Sequence, residues 1–204
     1  MIRAFIAVEL SDARREQIRL VQNDLKDRIN RASTRDPRIA WVRPASMHLT
    51  LKFLGDIDER RVGALREAIA TAIRGREPIA IPLARLGVFP RPREPRAFWI
   101  GPPEDWRRGK DADRLTALAG AIEDGCEAEG IPREPRPFAP HLTLARIKAG
   151  ERQAGRALAV TGALDTPLIL DPLTVDAVAL MKSQLNADGA VHTRLWEIRL
   201  GAVS

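Results

Sequence analysis

Apolar residues recur along this chain at two spacings, one typical of strands and the other typical of helices. Residues 3–10 form an apolar run expected of a strand. In the segment that follows, apolar side chains lie three and four positions apart, and Ser11 or Asp12 is the expected helix cap. The pattern therefore predicts a strand followed by an amphipathic helix, whose apolar face carries Ile18, Val21, Leu25 and Ile29.

The helical spacing appears three more times. It predicts a helix that begins at Asp56 or Asp58 and ends at Gly75, another that ends near Gly130, and a short one over residues 151–159. Short apolar or alternating runs predict the strands between these helices. The strands are expected at residues 39–42, 48–54, 79–89, 97–100, 141–147, 168–170, 175–181 and 191–200.

The segments between these elements indicate how the chain is divided. Residues 30–37 are polar and predict a loop, Gly55 is expected to close the strand at 48–54, and residues 186–189 predict a hairpin turn. The order strand, helix, strand, strand, helix recurs approximately in the second half. Because no linker is long enough to separate independent domains, residues 1–204 are predicted to form a single bilobal domain.

One tetrapeptide, His-Leu-Thr-Leu, occurs twice, at residues 48–51 and 141–144. Side chains alternate between the two faces of a strand, so His48 and Thr50 share one face while the leucines point to the other. His141 and Thr143 repeat this arrangement. If the two halves pack about a pseudo-two-fold axis, two histidines and two threonines surround one cleft.

Two imidazoles on opposite sides of a cleft are suited to cleaving a phosphodiester without a metal ion. In-line displacement at phosphorus needs a base on the attacking oxygen and an acid on the leaving oxygen, and histidine can serve as either. The hydroxyls of Thr50 and Thr143 can donate to the phosphate oxygens as negative charge develops. A lone His-x-Thr is more often structural, but the two copies hold two of the three histidines in the chain, which favours function.

Other catalytic chemistries lack their usual motifs. The sequence has no His-Glu-x-x-His and no paired cysteines, which disfavours a zinc site. It has no Gly-x-Ser-x-Gly, which disfavours a serine hydrolase, and no Walker-type glycine-rich loop for ATP. We therefore expect neither a metal nor a cofactor.

The formal net charge is +6, and 28 of the 33 basic residues are arginine. One interpretation is a polyanionic partner such as nucleic acid, because guanidinium groups match phosphate geometry. The other is a GC-rich genome, which enriches arginine, alanine, proline and glycine together. The basic segments at residues 90–96 and 107–108 weakly favour an oligonucleotide.

The remaining features bound the setting of the protein. A single cysteine, Cys126, excludes an internal disulfide and is typical of a reducing compartment. The N-terminal residues lack the pattern of a signal peptide, and no apolar run approaches the roughly 20 residues of a membrane span. We expect a cytoplasmic protein, a monomer with no obligate protein partner and no membrane association.

Three stretches of the sequence resemble the two-histidine phosphoesterase superfamily. They are Arg3-Ala4-Phe5-Ile6-Ala7-Val8, His48-Leu49-Thr50-Leu51-Lys52-Phe53-Leu54-Gly55 and Pro140-His141-Leu142-Thr143-Leu144-Ala145-Arg146. Within that superfamily, the chain is most similar to the RNA 2',3'-cyclic phosphodiesterases, also called 2'-5' RNA ligases. The order and approximate spacing of the stretches agree over nearly the whole chain.

The resemblance implies an α+β fold with two antiparallel sheets around a central cleft and helices on the outer faces. It implies metal-independent hydrolysis of an RNA-terminal 2',3'-cyclic phosphate to a 2'-phosphate, with reversible 2'-5' ligation in some members. By motif, His48 would protonate the leaving 3' oxygen and His141 would activate water, although the two roles could be exchanged. Thr50 and Thr143 would hold the phosphate. Arg146 and Phe5 match family residues that lie near the substrate.

One stretch departs from the family. Related proteins often carry a tyrosine in a C-terminal Gly-x-x-Tyr-x-x-Leu stretch, where this chain has His192, which we interpret as structural or as lying at the edge of the substrate. Two other functions stay open beside the leading one. They are a phosphoesterase acting on a small cyclic nucleotide and a non-catalytic protein that binds RNA ends.

Overall fold

The computed structural model describes residues 1–33, 36–186 and 189–201. Within these ranges there are four α-helices, namely α1 (Asp12–Ala32), α2 (Val62–Ala72), α3 (Lys110–Ala128) and α4 (Glu151–Thr161). The β-strands in the same ranges are β1 (Ile2–Glu9), β2 (Arg38–Trp41), β3 (His48–Ile57), β4 (Ile79–Ile81), β5 (Arg85–Phe89), β6 (Ala97–Gly101), β7 (Leu142–Ala149), β8 (Leu173–Val175), β9 (Ala177–Asn186) and β10 (Gly189–Arg199). The predicted α+β class is therefore confirmed.

The large antiparallel sheet consists of two four-stranded halves. One half has the order β10-β9-β1-β3, and the other contains β2, β7, β6 and β5. The halves are joined by a single residue pair between β3 and β7, Leu49 with Leu142, beyond which β2 takes the place of β3 beside β7. A separate small sheet pairs β4 with β8. The strands β3 and β7 therefore touch at one point, where the two copies of the tetrapeptide begin.

Each of these two strands carries a β-bulge at the same place. The pairing of β1 with β3 slips between Thr50 and Lys52, and the pairing of β6 with β7 slips between Thr143 and Ala145. A bulge inserts one extra residue and re-aims the side chains that follow. The inserted residue is the last leucine of the tetrapeptide in both copies, Leu51 and Leu144.

The first helix follows the sequence pattern except at its end. Ser11 caps α1, with its Oγ accepting from the backbone amide of Arg14 at 3.3 Å. The prediction of a loop over residues 30–37 is wrong at its start, because α1 continues to Ala32. The last turn of α1 ends with Arg31 and Ala32, and both residue types have high helix propensity, so the polar character of this segment is compatible with a helix.

Two predicted strand boundaries in the middle of the chain are also wrong. Gly55 does not close its strand, because β3 continues to Ile57. Gly55 adopts a φ of +70° beside an irregularity in the pairing with β1, a conformation that glycine adopts without strain. The strand predicted over residues 79–89 is two strands in different sheets, β4 and β5, separated at Pro82, which has no amide hydrogen for a ladder.

Two of the C-terminal strands, β8 and β9, begin later than predicted, whereas β10 begins two residues earlier. Residues 168–170 are not a strand, and the strand that pairs with β4 is β8 at Leu173–Val175. The hairpin between β9 and β10 pairs Asn186 with Gly189, while Ala187 and Asp188 of the predicted turn lie outside the described residues.

The four helices pack in two pairs, and each pair consists of one helix from the first half of the sequence and one from the second half. Helix α1 packs against α4, and α2 packs against α3. One hydrophobic cluster includes residues from all four helices and from both halves of the large sheet. The assignment of residues 1–204 to a single domain stays a prediction, which this shared core favours. None of the helices in the described ranges has the length and apolar character needed to cross a bilayer.

Candidate active site

The four residues singled out by the tetrapeptide lie around the point where β3 and β7 meet. Leu49 pairs with Leu142, so the residues that flank this pair are His48 and Thr50 on one side-chain face of β3 and His141 and Thr143 at the start of β7. The leucines are buried in the core, while the histidines and threonines are half-buried on the opposite face. We call these four residues, His48, Thr50, His141 and Thr143, the His/Thr cluster. The two strands bring together the residues that the sequence predicted.

Both cluster histidines are held by the same contact. His48 Nδ1 lies 2.9 Å from the carbonyl oxygen of Ser46, and His141 Nδ1 lies 2.8 Å from the carbonyl oxygen of Ala139. A carbonyl oxygen only accepts, so each Nδ1 carries a hydrogen and donates it. In the neutral imidazoles the other nitrogen, Nε2, is then the unprotonated one. Each ring is therefore fixed in the tautomer that offers Nε2 as a base, or as an acid after it gains a proton.

Burial favours the neutral form of both rings. Burial, together with the positive charges of His192 and His141, lowers the pKa of His48 to about 4, against the opposing effect of the bond to Ser46. Burial also lowers the pKa of His141, with a further contribution from the charge of Arg146. A negative phosphate between the rings would act in the opposite direction, because an opposite charge favours the protonated form.

Aromatic rings enclose His48 on one side of the cluster. The ring of Phe5, on the neighbouring strand β1, stacks on the imidazole of His48 with ring centroids 4.5 Å apart. His192 on β10 lies edge-on to both, at 5.1 Å from His48 and 5.0 Å from Phe5. Phe5 is 4% exposed and packs with Ala7, Ala179 and Met181 in a small cluster separate from the main core. Phe5 and His192 therefore cover one side of the His48 ring, and the exposed ring of Phe53 lies 6.4 Å from that of Phe5.

His192 contacts the site more closely than the sequence suggested. Its ring contacts His48, its strand position is opposite Ser183, and its buried Nδ1 has no hydrogen-bond partner among the described residues. Burial and the charge of Arg43 lower the pKa of His192. The two interpretations of this residue, structural or at the edge of the substrate, both agree with this position.

The wall beside His141 has a different composition. Trp99 on β6 lies across Gly87 on β5, where a Cβ would overlap the indole, so only glycine fits under this ring. Arg85 lies over the indole at 5.2 Å, and the ring of Phe89 lies at 5.3 Å from it with an interplanar angle of 32°. We call Arg85, Trp99 and Phe89 the aromatic stack. Phe89 also meets His141 edge-on at 5.0 Å.

Arg146 occupies the position five residues after His141. It is exposed on β7, opposite Ala40 of β2 and Ala97 of β6, whose short side chains leave room above the strand. The effect of its charge on the pKa of His141 places the guanidinium within electrostatic range of the cluster. The equivalent residue five positions after His48 is Phe53, which is also exposed. The two halves of the site are therefore alike at the cluster and unlike beyond it.

Each motif strand is also tied from behind by a buried polar contact with a helix. Lys52 of β3 is buried, and its Nζ donates to Glu123 of α3 at 2.6 Å and to the carbonyl oxygen of Pro132 at 2.8 Å. Gln22 of α1 is buried, and its Nε2 donates at 2.8 Å to the carbonyl oxygen of Leu144, the bulged residue of β7. These contacts fix the strands that carry the His/Thr cluster.

One arginine of the basic segment at residues 90–96, Arg91, is engaged in a structural ion pair. Glu94 forms ion pairs with Arg91 in the same loop and with Arg152 on α4, the latter at 2.9 Å. The backbone of the loop lies directly against Gly155 of α4. Part of the charge in this loop therefore holds the loop in place. The loop thus gives weaker support for an oligonucleotide substrate than its sequence suggested.

The sequence matches a known protein family over most of its length. A sequence model described as "LigT like Phosphoesterase" matches residues 8–99 and 109–192, which are most of the chain and include the whole His/Thr cluster. The chain belongs to the LigT-like phosphoesterase family. The resemblance stated from the sequence motifs is thus confirmed.

Full-length relatives of this LigT-like phosphoesterase carry a more specific name. The RNA 2',3'-cyclic phosphodiesterase of Methanothermobacter thermautotrophicus is 29% identical over 98% of this chain and 99% of its own length. The protein of the same name from Aquifex aeolicus is 31% identical over 88% of this chain and 91% of its own length.

Solved structures agree with the fold. The structure of E. coli LigT with 3'-AMP has a TM-score of 0.72 and 23% identity, covering 98% of this chain and 99% of that one. A structure from Thermus thermophilus has a TM-score of 0.67 and 27% identity, covering 98% of each chain. The α+β architecture predicted from the resemblance is confirmed by these neighbours.

Proposed function

We propose that this LigT-like phosphoesterase hydrolyses the 2',3'-cyclic phosphate at an RNA end to a 2'-phosphomonoester, with His48 and His141 as its acid and base and no metal ion. The observation that supports this most strongly is the His/Thr cluster, whose two histidines and two threonines flank the single residue pair that joins β3 to β7. The proteins named RNA 2',3'-cyclic phosphodiesterase, similar over most of their length, support the same substrate.

The reaction would proceed by in-line attack of water on phosphorus. One histidine takes a proton from the water through Nε2 as its oxygen bonds to phosphorus. The bond from phosphorus to the 3' oxygen breaks, and the other histidine, protonated on Nε2, gives its proton to that oxygen. The fixed Nδ1 contacts keep both Nε2 atoms available for these transfers. The motif resemblance assigns the acid to His48 and the base to His141.

The remaining site residues would hold the substrate. The hydroxyls of Thr50 and Thr143 would donate to the non-bridging oxygens of the phosphate. Arg146 would attract the phosphate or the RNA backbone from the cleft side of β7. Phe5 would act through His48, because its buried ring stacks on the imidazole. We further propose that the protein acts as a cytoplasmic monomer without an obligate protein partner, and that it can join 2'-5' ends by the reverse reaction.

The experiment that tests this function compares two oligoribonucleotides of the same sequence with different 3'-terminal phosphates, in the presence of EDTA. We expect the oligonucleotide ending in a 2',3'-cyclic phosphate to be consumed, while the same oligonucleotide ending in a linear 3'-phosphate is unchanged. Tight binding without turnover would indicate the non-catalytic alternative. Turnover of cyclic mononucleotides alone would indicate a small-molecule phosphoesterase, and loss of turnover in EDTA would contradict the metal-free mechanism.

Replacing either cluster threonine by valine should lower kcat by about 10²- to 10³-fold, the usual loss for one donor to a developing negative charge. Valine keeps the branched shape that favours a strand, so the fold should be retained. Steady-state kinetics of Thr50→Val and Thr143→Val would measure this, with Thr50→Ser and Thr143→Ser as controls that keep the hydroxyl. A serine variant as impaired as its valine counterpart would exclude hydroxyl donation.

The depressed histidine pKa values predict an acidic optimum for kcat/KM. The free enzyme needs one protonated and one neutral histidine, and above both pKa values the singly protonated form declines with rising pH. Since the pKa of His48 is lowered to about 4 and that of His141 is also lowered, kcat/KM should fall as pH rises above about 6.5. Bound phosphate raises both pKa values, so the decline of kcat should lie at higher pH.

Rate profiles from pH 5 to 9 would measure the decline of kcat/KM and the decline of kcat with rising pH, with solvent viscosity varied to establish that chemistry limits the rate. A kcat/KM that is constant across this range would be incompatible with the two-histidine mechanism. A decline of kcat/KM that begins only well above neutral pH would contradict the lowered pKa values.

A further inference from the structure

The turn that precedes β3 is attached to the edge strand of the large sheet, β10. Ser46 Oγ donates to the carbonyl oxygen of Ala190 on β10 at 2.9 Å, and the guanidinium of Arg43 donates to the same oxygen at 3.1 Å. Within the sheet, β9 and β1 lie between β10 and β3. The start of β10 therefore contacts a segment that belongs to a more distant strand, and this segment leads directly into His48.

Ser46 is also the residue that holds the ring of His48. Its carbonyl oxygen accepts from His48 Nδ1 at 2.9 Å, while its hydroxyl makes the bond to Ala190. His192, two positions after Ala190 on the same strand, meets the imidazole of His48 edge-on at 5.1 Å between ring centroids. The position of β10 therefore affects His48 through two contacts, one to its Nδ1 by way of Ser46 and one to its ring edge.

The second copy of the motif holds its histidine without such a bond. The residue that corresponds to Ser46 is Ala139, whose carbonyl oxygen accepts from His141 Nδ1 at 2.8 Å and whose side chain has no hydroxyl. Ala139 is followed by Pro140, and a proline restricts the backbone of the residue before it. Ser46 is followed by Met47, which imposes no such restriction. The hydroxyl of Ser46 therefore supplies a restraint that a proline ring supplies in the other copy.

We propose that Ser46 and Arg43 are positioning residues that act through His48. Their bonds to Ala190 keep the Ser46 carbonyl at the place where it holds His48 in the tautomer with hydrogen on Nδ1. The importance of this tautomer for catalysis rests on the proposed function. Hydrogen on Nδ1 leaves Nε2 as the nitrogen that exchanges a proton with the substrate, so a displaced carbonyl would turn the ring and mix the two tautomers.

The kinetic test uses Ser46→Ala, which removes the hydroxyl and keeps the carbonyl, on an oligoribonucleotide that ends in a 2',3'-cyclic phosphate. We expect kcat to fall about three- to tenfold, the effect of one lost hydrogen bond, while KM stays within twofold of the wild-type value. Ser46→Thr, which keeps a hydroxyl, should restore at least half of the wild-type kcat. The double variant Ser46→Ala/Arg43→Met removes both donors to Ala190, and its kcat should fall about 10²-fold, as for a catalytic group displaced by roughly 1 Å.

The tautomer of His48 provides a second measurement, which needs no turnover. Long-range proton–nitrogen NMR correlation distinguishes a protonated from an unprotonated imidazole nitrogen, and at slightly basic pH both rings are neutral because their pKa values are lowered. In the wild-type protein, His48 and His141 should both carry hydrogen on Nδ1. Ser46→Ala should shift the nitrogen signals of His48 toward a mixture of tautomers and leave those of His141 unchanged. Each ring is assigned from the variant in which that histidine is replaced by glutamine.

The matched control is Thr161→Val, which removes a hydroxyl that donates to the carbonyl oxygen of Ala157 at 2.8 Å within α4. It should change neither kcat nor the nitrogen signals of His48. Unchanged kcat or unchanged His48 signals in Ser46→Ala would overturn the proposal, and so would an equal shift of the His141 signals or a loss that Ser46→Thr does not restore. A wild-type protein that does not consume the substrate would instead contradict the proposed function, and the tautomer measurement would then test the role of Ser46 by itself.

Discussion

Replacing His48 or His141 by alanine should lower kcat by about 10²- to 10⁴-fold, the usual contribution of one positioned proton transfer. The double variant should be little worse than either single variant, because an acid and a base that act in the same step are lost together. Binding of a product oligonucleotide with a 2'-phosphate should change by only a few fold. Single-turnover kinetics and equilibrium binding, measured on the same preparations, would separate the two effects.

Two controls make this result interpretable. Thermal unfolding of each variant should remain cooperative, because both histidines are half-buried and lie outside the main core. A single variant that keeps more than a tenth of wild-type kcat would show that its histidine is not an essential acid or base. A variant that loses binding and turnover in equal measure would favour the protein that only binds RNA ends.

Replacing Lys52 by alanine should destabilise the fold by about 3–5 kcal/mol, because removing one partner leaves a buried opposite charge without compensation. The side chain of Lys52 is 1% exposed and that of its partner Glu123 is 15% exposed, so water cannot readily solvate the group left behind. Glu123→Ala should be similarly costly. Urea unfolding at neutral pH, followed by circular dichroism and by tryptophan fluorescence, would measure both losses.

The double variant Lys52→Met/Glu123→Leu keeps this prediction testable if a single variant fails to fold. It removes both charges and fills similar volume, so it should be more stable than either alanine variant. The matched control is Lys182→Ala, whose partner Glu59 lies 3.6 Å away on the surface, and it should cost about 1 kcal/mol or less. A loss below about 1 kcal/mol for Lys52→Ala would show that this buried pair does not stabilise β3.

The sequence predicted the centre of the site because the positions of His48 and Thr50 on one face depend only on their spacing within a single strand. A strand alternates its faces, so His48 and Thr50 could be assigned to one face from their spacing alone. The repeated tetrapeptide then suggested the second strand and the axis between them. The pairing of Leu49 with Leu142 agrees with this prediction, because it brings the two copies together at their second residues.

The wall of the site could not be predicted in the same way. Trp99 and Phe89 lie on strands whose bounds the sequence predicted only approximately. Their contact depends on the register of β5 with β6 and on the absence of a side chain at Gly87, which leaves room for the indole. The only available signal was a glycine inside a strand, which often marks a close approach by another group. Lys52 and Gln22 were likewise hidden, since their partners lie in the other half of the chain.

The most direct test of the proposed function is to identify the product that the wild-type enzyme forms in EDTA from an oligoribonucleotide ending in a 2',3'-cyclic phosphate. We expect complete conversion to the 2'-phosphate, because the leaving oxygen is the 3' oxygen. Formation of the 3'-phosphate would contradict the orientation of the substrate between His48 and His141. No conversion, with or without EDTA, would contradict the proposed function itself.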